Sequence, residues 1–340
     1  MTQLQVEQLM QSQSAKDVSG NFIFVETHIS WLLLGPEYVL KIKKPVQFSF
    51  LDFSTKEKRK FYCQEELRLN RRLSPGMYLG VIPIRAFGGK ILTGDNDGEI
   101  IDYAVLMRRM DEQRQMDLLL RKNQVPVEQI ERLAKQLADF HLRARKIKSP
   151  LELEQMQVDF GDILKCQQQI QSLLGQRAVN SLEDIVDAAQ VFLEEQAFHL
   201  YVRKMQGWTI DGHGDLHSRN IFLLDKPVIF DCIEFGDHFR EVDVLDELAF
   251  LCMDLDFHHR PDLAQHFLRT YLTQNSCMST EIDRQLFVYY KLYRANVRLK
   301  VEVLQATADD QAGREHIKRI RRYFELMQSY HKQLQKLPIG

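Results

Sequence analysis

Apolar residues recur along this chain with two different periods. Up to about residue 108 they form short runs of strand composition: Phe22-Ile23-Phe24-Val25, Ile29 to Leu34, Tyr38 to Lys44, Val81-Ile82-Pro83-Ile84, Lys90-Ile91-Leu92 and Asp102 to Arg108. Runs rich in β-branched and aromatic residues, bounded by turn residues, predict strands. Gly35-Pro36-Glu37, Gly88-Gly89 and the stretch Gly94 to Gly98 supply the turns. One helix interrupts them, Ser54 to Leu73, with Ser54 or Thr55 as N-cap, Glu57 in its first turn and a stop at Ser74-Pro75-Gly76. Phe61, Glu65, Glu66, Leu69 and Leu73 fall close to one face of it.

After Met110 the spacing becomes helical. Pro126 opens a helix in which Ile130, Leu133, Leu137 and Phe140 recur one turn apart. Further helices are expected within Leu151 to Met205, one starting at the capping box Ser181-Leu182-Glu183-Asp184. Others are expected over Val242 to Asp254, Thr280 to Leu304 and Arg314 to Leu334. This change of period divides the chain into an N-terminal segment 1–20, a strand-rich lobe 21–109 and a helical lobe 110–340. The fold class expected is α+β.

One stretch breaks the helical pattern. His213-Gly214-Asp215-Leu216-His217-Ser218-Arg219-Asn220 is followed by two short apolar runs around a polar turn, Ile221 to Phe230, and then by Asp231. If Asp225 and Lys226 form a two-residue hairpin loop, Leu224 faces Pro227 and Asn220 stands opposite Asp231. Opposed residues of an antiparallel pair have Cβ atoms roughly 4.5–5.5 Å apart. A carboxylate and an amide oxygen at that spacing can share one Mg²⁺, a hard cation that takes a few protein oxygens plus substrate phosphates. Asp215, on the loop feeding the hairpin, is free to meet a substrate hydroxyl. Asp-Lys suits such a turn poorly, and Pro227 lacks a donor. A longer loop would shift the register while leaving both residues at the same end.

The strand Tyr38 to Lys44 presents Tyr38, Leu40 and Ile42 on one face and Val39, Lys41 and Lys43 on the other. A lysine that reaches nucleotide phosphates from a strand needs an apolar residue two positions earlier, under the base. Val39 serves Lys41, whereas Lys43 would have Lys41 there. Lys41 is therefore the candidate, against a solvated basic edge strand. Glu65 and Glu66 on the next helix both fit as its ion-pair partner.

Composition narrows the classes. A chain of 340 residues exceeds the usual single core, so two lobes are expected. A net charge of −2 argues against a dedicated nucleic-acid binder. The five cysteines are odd in number and lack CxxC spacing, which points to a reducing, cytoplasmic compartment. No basic-then-apolar N-terminus suggests a signal peptide. The longest apolar run, Leu245 to Leu255, is interrupted by Asp246, Glu247 and Asp254, so no membrane partner is expected.

The pattern HxDxxxxN with a later aspartate matches the logic of protein kinases, where the first Asp accepts the hydroxyl proton and Asn and the second Asp hold Mg²⁺. In its form HGDLHxxN, followed by Asp231-Cys232-Ile233-Glu234-Phe235, it resembles the aminoglycoside phosphotransferase and choline kinase group. Thr27 to Trp31, Lys41 to Pro45, Phe50 to Ser54 and Glu65 to Leu73 extend the likeness to uncharacterised bacterial aminoglycoside phosphotransferase-like proteins often fused to a P-loop kinase domain. That second domain is expected to be absent, because no GxxxxGKS/T occurs. The resemblance runs from about Glu26 to Leu255. It implies a bilobal protein-kinase-like fold binding ATP (or GTP) with Mg²⁺, and a small-molecule hydroxyl acceptor. By position it implies Asp215 as the base, Asn220 and Asp231 as Mg²⁺ ligands, Lys41 on the phosphates and Glu66 as its partner. Ser30 would lie in a loop covering the phosphates, offering a hydroxyl and a backbone N–H. His213 and His217 would be structural.

Other readings compete. A metal-dependent hydrolase could use His213, Asp215 and His217 as ligands, but leaves Asn220, Asp231 and the Lys41–Glu66 pair without a role. A catalytically silent nucleotide-binding regulator would not need the full catalytic set. A protein kinase would carry DFG and APE segments. Nothing in the sequence spells the acceptor.

Overall fold

The computed structural model describes residues 1–12, 22–48, 50–94, 97–306 and 311–336. Residues 13–20 of the N-terminal segment and residues 95 and 96 of the expected turn lie outside them. The chain begins with α1 (Gln3–Gln11), β1 (Ile23–Glu26), β2 (Ser30–Leu34), β3 (Tyr38–Lys43), β4 (Gln47–Phe48), β5 (Leu51–Asp52) and α2 (Lys56–Asn70). It continues with β6 (Tyr78–Phe87), β7 (Lys90–Thr93), β8 (Glu99–Arg108) and α3 (Met116–Arg121). Then come α4 (Val127–Arg143), α5 (Leu153–Gly161), α6 (Gln167–Leu174), α7 (Gln176–Glu195), α8 (Ala197–Met205) and β9 (Thr209–Asp211). The hairpin β10 (Ile221–Phe222) and β11 (Val228–Ile229) precedes β12 (Glu241–Asp243), α9 (Val244–Phe257), α10 (Pro261–Leu272), α11 (Glu281–Gln305) and α12 (Gln311–Lys336). By contact these form two compact units, Met1–Lys122 with Arg219–Arg240, and Asn123–Ser218 with Glu241–Gly340.

In the first unit a six-stranded antiparallel sheet has the order β1-β2-β3-β8-β6-β7. Strand alternation gives it two different faces. Trp31, Leu33, Leu40, Ile42, Ile84 and Ala104 pack with Val6 and Leu9 of α1. Val39, Val105 and Met107 pack on the other face with Cys63 of α2 and Phe222 of β10. Each Val, Leu, Ile, Met or Phe among them, once fully buried, stabilises by about 1.5–3 kcal/mol. Leu224, Val228 and Phe230 join the second cluster, so burial ties the hairpin to the sheet, although it lies within the expected helical lobe 110–340.

Thr55 caps α2, its hydroxyl accepting from the Lys58 N–H at 3.2 Å. The helix buries Cys63, Glu66 and Leu69, but Phe61 turns outward.

The second unit is helical. Asp243 caps α9 by accepting from the Leu245 N–H at 2.8 Å. Every residue of α9 from Val244 to Leu255 is buried, with α11 and α10 packed on it. The expected helix start at Ser181 is a correction: Ser181 lies inside α7, which begins after Gly175, a glycine at φ +89°. The buried stripe Ala178, Val179, Leu182 and Ile185 carries the helix through that point, and the Ser181 hydroxyl accepts from Gln328 instead of capping. Among the described residues no helix is long and apolar enough to cross a membrane.

Candidate active site

Alternation along β3 brings Lys41 and Lys43 to one face, toward α2. One turn of α2 decides which glutamate meets them. Glu66 is fully buried and places Oε1 2.8 Å from Lys41 Nζ and Oε2 2.8 Å from Lys43 Nζ. Glu65 points away and pairs with Arg68. Lys41 also lies 2.6 Å from Asp231 Oδ1, and Lys43 pairs with Glu234. Burial works against these charges. It pulls the Lys41 ammonium down, but Asp231, Glu66 and Glu234 raise it well above the usual lysine range. It pushes the Glu66 carboxyl up, while Lys41 and Lys43 hold it down at about 2. For Glu234 burial prevails over Lys43 and the shift is upward.

Asp231 has φ +62°, a left-handed backbone that costs a non-glycine residue about 1–2 kcal/mol. Its N–H donates to the Tyr78 hydroxyl at 3.2 Å, and the Cys232 N–H donates to Asn70 Oδ1 at 2.9 Å. These bonds fix the strained turn that aims its carboxylate.

The hairpin register differs from the two-residue-loop expectation. Ile221 pairs with Ile229 and Phe222 with Val228, and the Phe230 N–H donates to the Asn220 carbonyl at 3.0 Å. Asn220 therefore faces Phe230, one residue short of Asp231. Asp225-Lys226 does not form the tight turn because residues 223–227 make a longer loop, anchored where Leu223 exchanges backbone and side-chain hydrogen bonds with Arg114, each 2.8 Å. Asn220 and Asp231 still share one end of the hairpin, and both offer hard oxygens of the kind Mg²⁺ takes. The Asp231 side chain is 44% exposed.

Ser30 also departs from expectation. It opens β2 itself, opposite Lys43, and its N–H is committed to Thr27 Oγ1 at 2.9 Å. The turn between β1 and β2 consumes that donor, which leaves the buried hydroxyl.

In the second unit, the loop after β9 is held by its backbone. Glu247 of α9 accepts from the N–H groups of His213 and Gly214, the latter at 2.7 Å. Its other oxygen bonds His141 Nε2 at 2.8 Å, and His141 Nδ1 bonds the Tyr271 hydroxyl at 2.8 Å. Arg294 donates to the Gly214 carbonyl at 3.2 Å while pairing with Asp246 at 2.6 and 2.7 Å. The Ser218 N–H donates to Asp254 at 2.8 Å. Asp254 is thus a buried brace for this loop. Asp215 projects from this frame with its side chain 35% exposed and Oδ2 3.3 Å from His217 Nε2. Burial raises its carboxyl, but His217, Arg298 and His213 hold it well below the usual carboxylate range.

The two histidines serve this loop. His213 Nδ1 accepts from the Asp215 N–H at 3.3 Å. Among the described residues no three His, Cys, Asp or Glu side chains converge as a metal centre, and the HxDxH hydrolase reading has no geometric support. Sequence reasoning weighed Lys43 and set it aside in favour of Lys41, and it missed Glu234 and Glu247 as site residues. The available signal for Glu247 was the acidic pair Asp246-Glu247 inside a largely apolar helical run.

A Cβ on Gly212 would fall 2.6 Å from the Glu247 carboxylate. Gly212→Ala is therefore expected to destabilise the fold by about 1–3 kcal/mol, as overpacking does. Denaturant unfolding checks this, and an unchanged midpoint would show that the loop accommodates the methyl group.

A family model described as the phosphotransferase enzyme family matches residues 28–280. Uncharacterized proteins of Mycobacterium tuberculosis and Mycobacterium bovis are 32% identical over 286 residues, which cover 82% of this chain and 54% of theirs. The chain thus spans about half the length of the curated relatives it matches. Among solved structures, choline kinase from Cryptosporidium parvum Iowa II aligns with a TM-score of 0.56 at 12% identity, over 93% of this chain and 91% of that one. A choline/ethanolamine kinase family protein from Mesorhizobium loti gives 0.54 at 14% identity, over 95% of each. The GDP complex of aminoglycoside 2'-phosphotransferase-IIIa gives 0.52 at 13%, over 98% and 99%. At these identities the likeness is one of fold: α+β, bilobal and kinase-like.

Proposed function

The chain belongs to the phosphotransferase enzyme family, and on that premise we propose that it transfers the γ-phosphate of ATP or GTP, bound with Mg²⁺, to a hydroxyl of a small molecule. The observation that carries this reading is the Lys41 ammonium held between Glu66 and Asp231, at 2.8 and 2.6 Å. An ammonium fixed by a buried glutamate beside a half-exposed aspartate suits a phosphate chain and its counterion together. Asp231 and Asn220 would hold Mg²⁺, which supplies charge neutralisation on the phosphates.

Asp215 takes the proton of the acceptor hydroxyl. Its carboxylate stays ionised because His217 and Arg298 oppose the effect of burial. Glu247 and Arg294 hold the loop backbone, so the base keeps its direction as charge develops. The aminoglycoside 2'-phosphotransferase-IIIa structure holds GDP, and GTP is accordingly tested beside ATP. The five cysteines are all buried.

Thermal unfolding without nucleotide, with Mg·ATP and with Mg·GTP tests the assignment. A ligand at a hundredfold excess over its Kd stabilises by about 2.7 kcal/mol. The wild type is expected to gain a Tm shift that Asp231→Ala largely loses. Equal shifts in both proteins would remove Asp231 as a metal ligand and count against the kinase reading.

A further inference from the structure

The sheet face that carries Lys41 holds a second lysine that phosphoryl transfer leaves without a role. Lys43 is 0% exposed, a rare state for this residue type. Its ammonium lies 2.8 Å from Glu66 Oε2, in contact with Glu234, and 4.8 Å from the centre of the Phe53 ring. Lys41 takes the opposite oxygen of the same glutamate. Five charges therefore alternate in a row: Asp231, Lys41, Glu66, Lys43 and Glu234. The row is open to solvent at Asp231 and closed at Glu234, whose side chain is 4% exposed.

The order of the row has a consequence for Lys41. Buried ions are costly unless each is paired. Without Lys43, Glu66 and Glu234 would be left with Lys41 as their nearest cation, and the attraction would draw its ammonium inward, away from Asp231. With Lys43 present and anchored by Glu234, one oxygen of Glu66 is already occupied and only one is left to Lys41. We propose that Lys43 is a positioning residue: held by Glu234, it limits the grip of Glu66 on Lys41 and keeps the Lys41 ammonium directed outward to the nucleotide phosphates. This rests on the reading of Lys41 as the phosphate-binding lysine.

A double-mutant cycle tests it, with Mg·ATP affinity measured by calorimetry and stability by thermal unfolding of the full chain. Lys43→Met should weaken binding about tenfold, a coupling within the range of contacting charged residues. Lys43→Met combined with Glu234→Gln removes one of the two carboxylates left unpaired, and binding should recover in part, to about threefold weaker than wild type, because Glu66 still keeps both oxygens for Lys41. Glu234→Gln alone leaves Lys43 to Glu66 and should also alter affinity, which keeps the test open if Lys43→Met does not fold. Recovery of Tm without recovery of affinity in the double variant would mean that Lys43 itself touches nucleotide, and would overturn the proposal. Wild-type affinity in a folded Lys43→Met or Glu234→Gln variant would reduce the pair to packing, and would overturn it equally. Lys41→Met is the control for the underlying reading: if it binds Mg·ATP like wild type, that reading fails whatever Lys43 does.

Discussion

Asp215→Asn is expected to bind Mg·ATP with nearly unchanged affinity and to lose phosphoryl transfer by about 10²–10⁴-fold, the usual contribution of a positioned general base. The amide matches the carboxylate in shape, and the loop backbone is held by other groups: Glu247, Arg294 and Asp254 bond it at His213, Gly214 and Ser218. What the amide lacks is the ability to take a proton. The acceptor is found first, by screening nucleotide consumption across amino sugars, polyols and nucleosides. The variant is then compared with wild type on the best acceptor, alongside calorimetry for nucleotide binding. Full activity in Asp215→Asn would eliminate it as the base, and lost binding would show that the carboxylate serves the nucleotide.

The largest effect on stability is expected at Glu247. Its side chain is 1% exposed and joins His141 to two loop N–H groups. Truncation to alanine leaves those donors and the imidazole without their acceptor, and three buried groups unsatisfied at about 1–3 kcal/mol each make a loss of about 3–5 kcal/mol. The denaturant midpoint should fall with the slope unchanged, and activity should fall with it because the Asp215 loop loses its brace. A midpoint equal to wild type would mean that α9 and the loop are held without this carboxylate.

The same residue sets an acid limit. Burial raises the Glu247 carboxyl, but the His141 hydrogen bond and charge, His213 and the Gly214 N–H bring it down from 4.5 to about 2. A folded value below the unfolded one gives stabilisation that is complete above the unfolded value and lost as pH falls through the folded one. The wild type should therefore lose stability between about pH 4.5 and 2. Glu247→Ala should show a shallower loss over that window, and parallel curves would assign the acid limb to other carboxylates.

The sequence by itself determined the elements and the kinds of chemistry. Alternation placed Val39, Lys41 and Lys43 on one face of β3, and a hydroxyl cap started α2 within one residue of its observed N-cap, Thr55. These features are local, since backbone geometry sets the period and one buried face sets the phase. The motif from His213 to Asn220 likewise carried its acidic, amide and imidazole groups in plain view.

Only the tertiary structure decided which of these groups meet. Glu65 and Glu66 are indistinguishable by helical position, and the burial of Cys63 and Leu69 turns Glu66 inward while Glu65 keeps to Arg68. The hairpin register slipped by one residue because Arg114, 109 positions away, holds Leu223. The charge row joins Lys43 to Glu66 across 23 positions and to Glu234 across 191. No periodicity reports such pairings. Their energies depend on which ions lose water together, and that is settled when the sheet, α2 and the turn at Asp231 close on one another.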